Sequence, residues 1–91
     1  MTIEEFQVSD GSGFSGALLA LWWDARGDWN RAHELAQDVA GPDGAWVHAY
    51  LHRQHGDLEN AGYWYRRAGR SVATGESRVE WEGIVREMLG R

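Results

Sequence analysis

Ninety-one residues and 10.3 kDa bound the chain to one small domain, and 43% hydrophobic with 25% charged residues is the balance of a folded protein, not of a disordered tail. No apolar run approaches the ~18 residues of a membrane span, no apolar signal core follows Met1, and without cysteine there is no disulfide, thiolate metal site or cysteine nucleophile. All nine basic residues are arginine against 14 acidic ones, and a net charge of −5 makes a poor general binder of nucleic acid; a cytoplasmic setting with no membrane and no nucleic-acid partner is the expectation.

Residues 1–13 read as an irregular N-terminal arm. Asp10-Gly11-Ser12-Gly13 separates it from the next segment, and Phe6 and Val8 alternate as in an extended strap. Residues 14–26 then read as a helix. Phe14, Ala17, Leu18, Leu21, Trp22 and Ala25 share one face, while Leu19 and Trp23 fall on another. A helix apolar on two sides predicts a central position or a partner surface. Gly27 ends it and Asp28 caps the next. That second helix, 29–40, lines up Trp29, Ala32, His33, Ala36 and Val39.

Gly41-Pro42-Asp43-Gly44 is a turn signal. A third helix is expected over 45–55, with Gly56 as its stop and Asp57 as the next cap. The fourth covers 58–70 and turns Leu58, Ala61, Tyr65 and Ala68 inward. Residues 71–76 read as a linker. Ser77-Arg78-Val79-Glu80 has the form of a capping box, and the helix over 77–89 carries Trp81, Ile84, Val85, Met88 and Leu89 as one stripe. Nothing reads as a paired strand, so the expected class is all-α.

The chain also matches itself at an offset of 29 residues: Ala20, Gly27, Asp28 and Ala32 align with Ala49, Gly56, Asp57 and Ala61. Glycine supplies a left-handed turn, aspartate caps the next helix, and alanine lets two helices approach. These residues, with Trp23 and with Ala61-x3-Tyr65 followed by Ala68, resemble the tetratricopeptide repeat (TPR) family. The resemblance implies two TPR-like helical hairpins, 14–40 and 45–70, a capping helix at 77–89, and a protein-binding role. The departures are a period of 29 where the family has 34, no terminal proline, Ala36 in place of a large aromatic, and His52 where an aromatic is expected.

Three groups of residues carry chemistry. His48, His52 and His55 fall within about 60° of one another on a helical wheel, and histidines at i, i+4 can chelate a transition metal. Alanine at 49 leaves the zinc-protease form of that motif without its base, and a solvated polar face is the plain alternative. His33 lies on an apolar face, where Asp24 or Asp28 is its expected partner. Tyr63, Arg66, Arg67 and Arg70 form a basic-aromatic stripe able to grip a carboxylate or phosphate. The plain alternative is a solvated face paired with Glu4, Glu5, Asp10, Glu76, Glu80 or Glu82.

No serine sits in a nucleophile elbow, and the glycine-rich arm lacks a phosphate-loop lysine. Catalysis and a cofactor are therefore not expected. The leading expectation is an interaction module that binds another polypeptide or itself, with Leu19 and Trp23 covered either by a second copy in a homodimer or by the N-terminal arm through Phe6 and Val8. The alternative is a metal- or small anion-binding protein using the histidine face or the arginine stripe.

Overall fold

The computed structural model describes all 91 residues and is helical throughout, with no strand. Its six helices are α1 (Ile3–Val8), α2 (Gly16–Ala25), α3 (Trp29–Gln37), α4 (Pro42–Gln54), α5 (Leu58–Ala68) and α6 (Ser77–Leu89). They fill a body of 33 × 25 × 25 Å.

The first correction concerns the arm. Thr2 caps α1 in a reciprocal box: its hydroxyl accepts from the Glu5 amide and the Glu5 carboxylate accepts from the Thr2 amide. One face of this short helix is apolar, and Phe6 is completely buried, edge-on to Phe14 at 4.9 Å and 6.0 Å from Trp81. Val8, the other half of the expected strap, is 82% exposed. The segment after α1 covers Trp22, whose indole N–H donates to the Ser9 carbonyl at 3.1 Å.

The two Gly-Asp turns share their main features. Gly27 and Gly56 take φ of 81° and 78°, a region that excludes most side chains. The amides of Asp28 and Asp57 reach back to the carbonyls of Trp23 and His52 at 3.1 and 2.9 Å. Each aspartate then accepts from the amide three residues on, Arg31 at 3.0 Å and Asn60 at 3.4 Å. Small residues come next: Ala32 and Ala61 are buried where α3 meets α2 and α5 meets α4.

The central helix is α4, not α2. It packs on α2, α3, α5 and α6, and every residue from Gly44 to Leu51 is buried. It also starts earlier than the turn signal suggests, because Pro42 suits the first helical turn, where no amide is needed. Gly44 therefore lies inside the helix. A Cβ there would stand 2.0 Å from the Val39 carbonyl oxygen, so glycine is what lets the connection fold over α4.

Helix α6 closes the core with Trp81, Ile84, Val85 and Met88. The Trp81 indole donates to the Leu21 carbonyl at 3.0 Å, tying α6 to α2. The expected capping box at Ser77 does not form. Glu76 is the N-cap and makes no side-chain cap bond. Glu80 is drawn inward, where its carboxylate pairs with Arg53 at 3.0 Å and accepts from the Tyr65 hydroxyl. Arg53 also donates to the Gly75 carbonyl, so one partly buried ion pair fixes the linker and α6 against α4 and α5. Leu58, expected inside, is 67% exposed.

Candidate functional site: a histidine cluster between α3 and α4

Helices α3 and α5 both pack on α4, and no Cα of one comes within 8 Å of a Cα of the other. They leave one long side of α4 as the floor between two walls. His48 and His52 stand on that floor, one helical turn apart, with His33 on the α3 wall and Trp64 on the α5 wall.

His33, His48 and His52 each bring one ring nitrogen into a group spanning no more than 4.8 Å. The Nε2 atoms of His33 and His48 are 2.9 Å apart, a hydrogen bond that requires one ring to donate and the other to accept. The expected carboxylate partner of His33 is thus replaced by a second imidazole. Asp24 is engaged elsewhere: it accepts from the Tyr50 hydroxyl at 2.6 Å, and burial raises its carboxyl above the ordinary range.

Aromatic rings enclose the cluster. Trp64 stacks on His48 at 4.0 Å, and His52 lies on the other side of His48 at 4.9 Å. Trp29 stacks on His33 at 4.8 Å and donates its indole N–H to the Leu51 carbonyl, which fixes the ring. Burial removes water from His48, and His33 and His52 beside it oppose a further positive charge; its pKa drops to about 4. Burial likewise lowers His33, with His52 adding to the effect. His48 therefore carries no charge at neutral pH. Asp57 Oδ2 lies 3.6 Å from His52 Nδ1 at the rim.

The histidine face expected at His48, His52 and His55 is corrected in two ways. It is not a solvated face, since His48 is 6% exposed. His55 is the C-cap residue of α4 and is exposed, stacked on Trp29 at 4.0 Å and outside the group of three. His33 takes its place.

The arginine stripe is divided. Arg67 lies over Trp64 at 5.3 Å and Tyr63 at 5.7 Å and donates to the Tyr63 hydroxyl. Arg70 lies 3.3 Å over Trp46 and pairs with Glu87, an acidic partner outside the expected set. Arg66 is exposed beside Gly62. Leu19 and Trp23 are half-buried against the core; Trp23 meets Trp22 edge-on at 5.0 Å and carries the Arg31 guanidinium 4.5 Å above its ring.

Beyond His48 the floor opens into a cleft of about 320 Å³ lined chiefly by Ala36, Val39, Pro42, Ala45, Trp64 and Arg67. No helix is long and apolar enough to cross a membrane. No protein-family model, curated protein or solved structure matches the chain.

Proposed function

We propose that the chain is a small interaction module of two TPR-like units whose α3–α5 cleft receives a short polypeptide segment. The observation that carries this reading is the separation of α3 from α5 over a shared floor, which leaves the cleft of about 320 Å³ open along α4. Its lining is mixed: Val39, Ala45 and the Trp64 ring give it an apolar part, Gln37 and His48 a polar one, and Arg67 one cation at the edge. Arg67 is exposed and its only close polar partner is the Tyr63 hydroxyl, so its guanidinium is free to fork onto a carboxylate. The matching occupant is a segment with an apolar residue beside an acidic one. Tryptophan and arginine are the residue types that most often anchor such contacts.

Selection from a library of random displayed peptides tests this. Recovered segments are expected to share an apolar–acidic pair and to lose at least about tenfold in affinity, roughly 1.4 kcal/mol, against Trp64→Ala and against Arg67→Glu. Segments that bind both variants as well as the original chain, or a selection without acidic enrichment, would place the binding surface elsewhere.

A further inference from the structure

We infer that His33, His48 and His52 form a binding site for one transition-metal ion of the zinc, cobalt or nickel type, bridging α3 and α4. Three ring nitrogens from two helices already lie within 4.8 Å of one another. A tetrahedral ion with bonds of about 2.0–2.1 Å needs its ligand atoms about 3.3 Å apart, so the widest pair has to close by about 1.5 Å, shared between two rings. The His33–His48 hydrogen bond is the contact such an ion replaces: the donor ring changes tautomer, its Nε2 proton passing by exchange with water to its own Nδ1, and both Nε2 lone pairs turn to the metal as neutral imidazoles.

Three features suit the site to an ion. Neutral imidazoles are ligands of intermediate softness and select zinc-like ions over magnesium or calcium. Burial keeps His48 uncharged at neutral pH, so coordination needs at most a change of tautomer and no net release of a proton from that ring. Trp29 and Trp64, each stacked on a cluster histidine, hold the rings in place, and Asp57 lies near the far edge of His52 as an outer carboxylate. Three protein ligands leave a fourth position for water or an incoming donor. The histidines belong to both units, so a bound ion clips the first unit to the second.

The cleft shares His48 and Trp64 with this site, so the two readings are separated by residues that belong to one of them only or by the bare ion as probe. Trp64→Ala and Arg67→Glu test the cleft, whereas the metal test uses His33→Gln, His52→Gln and the control His55→Gln. His33 and His52 are only half-buried, and circular dichroism checks that their variants remain helical. The untagged full chain is titrated with zinc chloride by calorimetry and with cobalt chloride by visible absorption.

The expected result is one zinc per chain with Kd tighter than about 100 μM, weakened at least about tenfold by His33→Gln and by His52→Gln and less than about twofold by His55→Gln. Zinc also raises the melting temperature of the original chain and not that of His33→Gln. Affinity weaker than that limit, unchanged binding in the His33 or His52 variant, or equal loss in the His55 control overturns the site and leaves the cluster a purely structural imidazole pair.

Discussion

Leu19 and Trp23 in the first helix–turn–helix unit occupy the positions that His48 and His52 occupy in the second, 29 residues on. Around them the backbone is the same: one glycine near φ 80°, one capping aspartate, one buried alanine. The faces differ in their neighbours. His48 and His52 look onto α3, the second helix of the preceding unit, and meet His33 there. Leu19 and Trp23 meet no histidine, and the Trp23 ring is covered by Trp22 and by the Arg31 guanidinium. A repeated fold thus presents the same face twice, once as an apolar end and once as an internal seam where polar rings satisfy one another. The chemistry collects at the seam because only there do two units contribute side chains to one place.

The comparison breaks most completely if the closing helix is removed. Ending the chain at Arg70 takes away Trp81, Ile84, Val85 and Met88, each about 1.5–3 kcal/mol if fully buried, together with the Arg53–Glu80 pair and the Trp81–Leu21 bond. That loss is comparable to the whole stability of a small domain. The truncated chain is expected to show no cooperative melting by circular dichroism; a cooperative transition would mean that the two units stand without α6.

Core deletions come next. Phe6→Ala empties a fully buried site and is expected to cost about 3–5 kcal/mol in urea unfolding. A cost below about 1 kcal/mol would return the first thirteen residues to the status of a loose arm. Gly44→Ala sharpens the account of the seam, because the added methyl meets the Val39 carbonyl. A destabilisation of about 1–3 kcal/mol is expected, against a small gain if the position were an ordinary helical glycine.

The turns test the equivalence itself. Gly27→Val and Gly56→Val place a β-branched side chain at positive φ with open space around it, so both are expected to cost about 1–3 kcal/mol by strain alone. Two equal losses support one repeated turn; a neutral result at either position means that the units are not equivalent.

The smallest effect is on pH. His48 holds fewer protons folded than unfolded between its lowered pKa of about 4 and the ordinary value of 6.5. Its contribution is therefore complete above pH 6.5 and is lost as the pH falls toward 4. His33 on α3, His52 on α4 and Trp64 on α5 face that ring, and none of them is a carboxylate that would offset the new charge. The urea midpoint of the metal-free chain is expected to fall over this range, and to fall less steeply in His48→Gln. Parallel profiles would show that other groups set the acid limit.

Much of this architecture is legible in the residues, and each failure has a physical cause. The turns at Gly27 and Gly56 come from local chemistry, because glycine and a capping aspartate act within four residues. The stripe of α6 comes from its period. Helix α1 is hidden because Phe6 and Val8 alternate as a strand would, while the Thr2–Glu5 capping box gives the better signal. The same motif at Ser77 misleads, since the partly buried Arg53 and the buried Tyr65 outcompete a backbone amide for Glu80. His55 shares the wheel position of His48 and His52 but lies at the frayed end of α4, where Trp29 holds it. His33 escapes notice as a cluster member because it is fifteen positions from His48, and a helical wheel shows one helix only. The signal that could have found it is the repeat, which sets α3 against the seam face of α4.

The central claim is that this seam holds an imidazole pair shared by the two units. Long-range ¹H–¹⁵N correlation of the histidine rings in the metal-free chain tests it most directly. The account predicts that His33 and His48 differ at Nε2, one protonated and one bare, and that His48 stays neutral as the pH is lowered through 6.5 toward about 4. A His48 ring that titrates near 6.5, with no contact to His33, would show that the seam is open to water and contradict the account.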